Sequence, residues 1–246
     1  MRRAGVELSV VVPVYNEERR LPGSLVGLGL ALRGLAAEVI VVDNGSTDRT
    51  ADVIRDQGFP VRLLDCQDRG KGAAVRAGVL AAHGRFVGFC DADLAASVDA
   101  LPAVLRRLRH GTDVVVGSRA HPGSQVRARH SVLRELGAWA FRRSVRSLVP
   151  GVGDTQCGFK FFTHDVAVAA FEPLQTTGFT FDVEVLARVQ RLGAVIEEVP
   201  VRWIDVAGST FALWRHGLRS FTDLNRIRAV LDAEPRRAAL LVPEAA

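Results

Sequence analysis

Phe86-Val87-Gly88-Phe89-Cys90-Asp91-Ala92-Asp93 is the stretch on which the reading of this chain turns. From Arg85 to Cys90 the run is apolar or small once past its first residue, the pattern of a strand buried on both faces. Such strands belong to parallel sheets covered by helices. The run then stops at two carboxylates flanking one small side chain. The same pattern recurs upstream. Leu8–Val14 reads as a buried strand that runs into Tyr15-Asn16-Glu17, and Val39–Val42 as a second that runs into Asp43-Asn44-Gly45-Ser46.

Working outward, Val61–Leu64 and Val114–Gly117 supply two further strands. Helices are predicted over Ser24–Leu35, from a Ser46 or Thr47 cap to about Gln57, over Ala73–Ala82, and from near Pro102 to Arg109. Strands alternating with helices give an α/β fold with a parallel sheet and right-handed crossovers. Ligands of such sheets sit outside the carboxyl ends of the strands. The polar clusters fall at those ends: Asn16-Glu17, Asp43-Asn44, Asp91-Ala92-Asp93 and Ser118-Arg119.

Beyond residue 120 the pattern changes. Residues 121–150 are Arg-rich (Arg127, Arg129, Arg134, Arg142, Arg143, Arg146) with Leu133, Leu136, Trp139 and Phe141 interleaved, as in a loop followed by an amphipathic helix. Gly151–Gln156 reads as a loop, Phe159–Thr163 as a strand, Phe181–Leu192 as a helix and Val195–Trp203 as an edge strand tolerating Pro200. A basic helix over about Phe211–Leu231 precedes a loose tail. The expected organisation is one domain over 1–232, in two halves (1–119 and 120–232), with a tail at 233–246.

The chain has 246 residues, 48% hydrophobic and 24% charged, enough to bury a sizeable core and too apolar for disorder. Its net charge of +5 is carried by arginine, since Lys71 and Lys160 are the only lysines, and it favours anionic partners. Three cysteines, Cys66, Cys90 and Cys157, form no CxxC pair, which argues against a disulfide framework or a zinc site and fits a reducing cytosol. No stretch reaches the roughly 18 apolar residues of a spanning helix, so a soluble or membrane-peripheral protein is expected.

Asp91-Ala92-Asp93 can hold a hard divalent cation through oxygen ligands, with a diphosphate completing its coordination. The cation would neutralise charge building on a departing diphosphate. Asp-x-Asp alone is a weak signal that favours a turn or helix cap; its place at a strand end turns the reading towards metal. Asp43 can accept the imide N–H of uracil, or simply end a strand. Glu17 can meet a ribose or a base, or lie in a solvated loop. Gly70-Lys71-Gly72 sets an ammonium before a helix N-terminus, which suits an anion and equally suits a surface lysine. Asp154 enters, and Lys160 leaves, the loop Asp154-Thr155-Gln156-Cys157-Gly158-Phe159-Lys160. His216 can close a metal site, although a surface histidine is the simpler reading.

Seven blocks in order resemble glycosyltransferase family 2, in its polyprenyl-phosphate branch. They are V-V-P-V-Y-N-E-E (Val11–Glu18), V-V-D-N-G-S-T-D-R-T (Val41–Thr50), G-K-G-A-A-V-R-A-G (Gly70–Gly78), D-A-D (Asp91–Asp93), G-S-R (Gly117–Arg119), D-T-Q-C-G-F-K (Asp154–Lys160) and F-D-V-E (Phe181–Glu184). The resemblance spans Val11 to about Arg228. It implies a GT-A type, Rossmann-like nucleotide-binding fold and an inverting, metal-dependent transfer of a hexose, with glucose expected, from a UDP-sugar. By the same resemblance Pro13, Tyr15, Glu17, Asp43, Gly70, Lys71, Asp91, Ala92 and Arg119 line the donor site. Asp91 and Asp93, with His216, hold Mg²⁺ or Mn²⁺. Asp154 is the base or acceptor-orienting carboxylate, and Lys160 and Arg119 handle phosphate charge.

The chain departs from the pattern in two places. Asn44 stands where the family often has a second Asp, and branch members often carry membrane-spanning helices, which no segment here matches. The Arg-rich stretch can replace such an anchor by lying on an anionic leaflet, placing the protein in the cytoplasm and peripherally at the inner membrane face; it can equally pack on its own domain. The acceptor is then a polyprenyl phosphate or a small soluble molecule. A sugar-phosphate nucleotidyltransferase would carry a Gly-rich basic loop where this chain has Tyr15-Asn16-Glu17-Glu18. A nucleic-acid binder would need a stacking platform that 7% aromatic residues with one Tyr do not supply, so no nucleic-acid partner is expected.

Overall fold

In a computed structural model, the described residues are 5–57, 60–94, 96, 98–127, 141, 143–204 and 213–234. Strand β1 (Leu8–Val14) is followed by α1 (Leu21–Ala31), β2 (Ala37–Asp43), α2 (Thr50–Arg55), β3 (Val61–Asp65), α3 (Lys71–Leu80) and β4 (Phe86–Cys90). A single turn at Val98–Ala100 leads into α4 (Leu101–Arg109), then β5 (Val114–Ser118) and β6 (Gln125–Arg127). The rest comprises β7 (Phe159–Thr163), α5 (His164–Phe171), α6 (Phe181–Arg191), β8 (Ile196–Pro200), β9 (Arg202–Ile204) and α7 (Leu213–Ala233).

Seven strands form one sheet in the order β3-β2-β1-β4-β7-β5-β8. All its pairings are parallel except those of β7, which runs antiparallel to β4 and β5. The expected mostly parallel α/β sheet is what the chain forms. The apolar strands are apolar because both faces are covered. Leu8, Val10, Val12, Phe86 and Phe161 pack with α1 and α4 on one side; Val11, Ile40, Val87, Phe89 and Phe162 pack with α3, α5 and α6 on the other. At the crossing of β4 and β7, a Cβ on Gly88 would lie 2.0 Å from the Phe161 ring, so a glycine lets the central strands interlock with that ring.

Several elements differ from the sequence reading. The helix after β2 begins at Thr50, with Arg49 as cap residue and no side-chain cap bond. Ser46 instead donates from its N–H and hydroxyl to Asp43 Oδ1, at 3.0 and 2.6 Å. Val195–Trp203 is not one strand: β8 pairs with β5 at the sheet edge, and β9 leaves to pair with β6. Helix α5 went unread, because it starts straight after β7 from an extended Thr163. Residues 128–140 and 142 of the Arg-rich stretch fall outside the described residues, as does the tail from 235 onwards. Where it is described, residues 143–146 are helical, with Val145 buried and Arg143 and Arg146 exposed.

Candidate active site

The carboxyl end of the sheet collects the predicted residues. The register pairs Val14 with Asp43, and β4 runs parallel to β1, so Tyr15, Glu17, Asp43, Asp91 and Asp93 follow their strands at one rim. Because β7 is antiparallel, its start lies at that same rim and brings Asp154 and Lys160 there from the second half of the chain; Arg119 follows β5.

Two loops frame one side of the rim through side chains that close on each other's backbone. Asn16, in a left-handed conformation (φ 54°), donates its N–H to Ser46 Oγ at 2.9 Å and accepts the Thr47 N–H on Oδ1 at 2.8 Å. Glu17 N–H donates to Thr50 Oγ1 at 2.8 Å. Glu18 Oε2 accepts the Arg49 N–H, and Asp48 accepts the Glu18 N–H. The Glu17 carboxylate is gripped by both arms of Arg20, with Nε at 2.7 Å. Its bonds to Glu17 hold the Arg20 guanidinium more firmly protonated than usual, and the Asp93 carboxylate adds to that. Arg20, unread in the sequence, thus binds Glu17 and feels the charge of Asp93. Pro13 lies in β1 beside Val42, and Ala92 is buried.

Lys71 opens α3 and is not a surface lysine. Its ammonium pairs with Asp91 Oδ1, with the side chain only 18% exposed. Burial works to lower its pKa, but the carboxylates of Asp91, Asp182 and Asp93 outweigh it and raise it. The anion reading of this helix start loses two donors, since the N–H groups of Gly72 and Ala73 already donate to Thr177 O, at 2.8 and 3.4 Å. Gly70 makes that contact possible: its φ is +124° and a Cβ would sit 2.2 Å from Thr177 O. Thr177 is held in turn by Glu184, which accepts the N–H groups of Gln175 and Thr176 at 3.0 and 2.8 Å.

Lys160 lies beneath the floor. It is 0% exposed, and its Nζ donates to Cys157 O and Asp182 Oδ1, each at 2.6 Å. Burial raises the Asp182 carboxyl above the usual range against the pull of Lys160 and Lys71. A buried pair of this kind contributes position more than stability. Asp154 is clasped by Arg119, whose Nε lies 2.6 Å from Oδ2 and Nη2 2.9 Å from Oδ1, with the Arg119 N–H adding a third bond at 3.0 Å. Burial works to raise the Asp154 carboxyl, but Arg119's bonds and charge outweigh it and hold it below the usual carboxylate range. The Arg119 guanidinium also lies over Trp203, 5.5 Å from the ring centroid.

The three cysteines are free and buried, and burial pushes the Cys157 thiol up to about 12, so these thiols are not nucleophiles. Among the described residues, four buried side-chain atoms lack an ordinary hydrogen bond: Arg20 Nη1, Ser118 Oγ, Gln156 Nε2 and Asp91 Oδ1, the last meeting only the Lys71 ammonium. All four belong to segments at this rim, the pattern of a surface completed by a ligand. Asp91 and Asp93 offer hard carboxylate oxygens one residue apart, a ligand chemistry that fits Mg²⁺ or Mn²⁺. No group of three or more His, Cys, Asp or Glu gathers among the described residues, so the pair needs ligands from a bound molecule. The side chain of His216 lies outside the described residues, and only its backbone, within α7, is placed.

A covered parallel sheet with an acidic rim and an orphaned polar lining is the layout of a GT-A glycosyltransferase. The chain belongs to glycosyl transferase family 2, whose family model matches residues 9–169. Among its relatives is the dolichyl-phosphate β-glucosyltransferase of Dictyostelium discoideum, 34% identical over 242 residues, covering 91% of this chain and 74% of that protein. The Homo sapiens protein of the same name is 36% identical, covering 90% and 75%. Glucosyl-3-phosphoglycerate synthase from Mycobacterium tuberculosis, solved with UDP, shares the fold at a TM-score of 0.73 and 22% identity, covering 92% of this chain and 81% of that one. A complex of that synthase with Mn²⁺, UDP-glucose and phosphoglyceric acid aligns at 0.68 and 21% identity, covering 90% and 80%.

Proposed function

We propose that this glycosyltransferase moves glucose from UDP-glucose to a polyprenyl phosphate, inverting the anomeric carbon, with Mg²⁺ or Mn²⁺ at Asp91 and Asp93. The relatives' shared name supports sugar and acceptor together. The observation that carries the acceptor is the clamp on Asp154. A carboxylate held by Arg119 and kept below its ordinary pKa is a poor proton acceptor at neutral pH. A phosphate acceptor needs none, because it already carries the attacking negative oxygen.

Each residue then has a physical task. Asp43, oriented by Ser46, accepts the imide N–H of uracil. Glu17, fixed by Arg20, meets the ribose. Bound there, the cation would offset charge on the departing diphosphate. Lys71 stands at the same carboxylates and can add its charge to the diphosphate. Arg119, backed by Asp154 and Trp203, directs its remaining charge to the acceptor phosphate, and Lys160 steadies the floor through Asp182.

The test incubates the purified chain with UDP-glucose, a short-chain polyprenyl phosphate and Mn²⁺ or Mg²⁺, with phosphoglyceric acid as a competing soluble acceptor. The expected product is the β-linked glucosyl lipid, formed only with metal. Transfer to the soluble acceptor alone would overturn the lipid reading. Asp93→Ala is expected to abolish transfer, and the metal dependence of donor binding, without changing the circular dichroism spectrum; near-normal turnover would remove the metal from Asp93.

A further inference from the structure

Asp91 is claimed twice, by the Lys71 ammonium that lies on it and by the cation that the proposed function assigns to it. The first claim is built in. Lys71 is pinned at the start of α3, where Gly72 N–H and Ala73 N–H are tied to Thr177 O. The Asp91 carboxylate fills the space that Gly158 leaves open, where a Cβ would sit 2.1 Å from Oδ2, and the Asp91 backbone N–H donates to Gly158 O at 3.0 Å. The oxygen that Lys71 meets is buried, and the ammonium is the one donor that reaches it among the described residues. Asp182, the other carboxylate acting strongly on Lys71, already gives Oδ1 to Lys160.

We propose that Lys71 and the divalent cation compete for Asp91, so that the cation binds tightly only once a nucleotide diphosphate has drawn the ammonium away. This rests on the metal reading above. A dication set on Asp91 meets the Lys71 charge at short range, where like charges repel. A diphosphate reverses the balance. It offers negative oxygens to an ammonium on a flexible four-carbon stem, which can change partner without the backbone moving. Metal and donor then bind as a coupled pair.

The test is direct Mn²⁺ binding, read from the electron paramagnetic resonance signal of the free ion, with and without UDP. Wild type is expected to bind Mn²⁺ at least roughly tenfold more tightly with UDP, the factor that one pKa-sized electrostatic interaction represents. Lys71→Met and Lys71→Gln should bind Mn²⁺ alone about tenfold more tightly than wild type and lose most of the UDP dependence, whereas Lys71→Arg keeps the wild-type pattern. Folded neutral variants that bind Mn²⁺ alone no better than wild type overturn the competition. So does a wild type that binds Mn²⁺ equally with and without UDP, a measurement that needs no variant. A wild type that binds no Mn²⁺ even with UDP overturns the metal reading itself, a separate result.

Discussion

Asn44 donates through Nδ2 to the carbonyls of Cys66 and Asp68, at 3.3 and 2.7 Å, and accepts the Gly70 N–H on Oδ1 at 2.7 Å. One amide thus fastens the loop that delivers Lys71. An aspartate there cannot donate and would face two carbonyl oxygens, which explains in this chain the departure from the family's second Asp. Asn44→Asp is expected to cost about 1–3 kcal/mol, read as a lower urea midpoint, with weaker UDP binding; an unchanged midpoint would show that these bonds carry nothing. Asp154 gives a pH prediction. Its lowered pKa makes its stabilising contribution complete above the unfolded aspartate value of about 3.9, and that contribution is lost as pH falls through the lower folded value. Arg119→Gln removes the largest opposition to burial, so Asp154 takes up its proton at higher pH and the acid-unfolding midpoint should rise; a midpoint that stays put or falls counts against the clamp. Asp43, Asp91 and Asp93 were legible because strand ends are. Arg20 and Asp182 were not, because their meaning comes from neighbours distant in sequence.

The junction of α3 with the loop before α6 shows what elements add. Glu184 holds Gln175 and Thr176, Thr177 holds the first amides of α3, and that helix start holds Lys71 against Asp91. The F-D-V-E block thus supports the site through Glu184 and Asp182 from inside a helix that is almost wholly buried. Gly70→Ala would force a Cβ against Thr177 O at a φ that L side chains avoid. The expected cost is on the order of 3 kcal/mol, or roughly 6–12 °C in Tm, with loss of donor binding; a melting curve matching wild type would mean the junction can relax. The strands were legible from their apolar runs, but the direction of β7 was not, because an apolar run reads the same whichever way its strand is laid. That reversal is what carries Asp154 and Lys160 to the donor rim. Helix starts were misplaced for a related reason: Ser46 is an adequate cap in isolation and is taken instead by Asp43, a competition that only the folded loop reveals.

At the scale of the whole molecule, donor binding and membrane approach are separable. UDP-glucose with Mn²⁺ should raise Tm, since a ligand at 100 times its Kd adds about 2.7 kcal/mol, and each component alone should do less; equal shifts from UDP-glucose with and without metal would count against the cation. Approach to lipid depends on charge. The net charge is +5, almost all of it on arginine, and among the described residues no helix is long and apolar enough to cross a membrane. A polyprenyl phosphate buries its chain in a bilayer, so an enzyme using the acceptor proposed above would meet it at a surface. Each basic residue near an anionic leaflet contributes about 1 kcal/mol, within a Debye length of about 10 Å at 0.1 M salt. The chain is therefore expected to float with vesicles containing anionic lipid, to stay behind with neutral ones, and to be released at about 0.5 M salt, where screening shortens that reach. Flotation that ignores both lipid charge and salt would place the attraction in apolar contact instead, and failure to float at all would turn the acceptor search towards soluble phosphates.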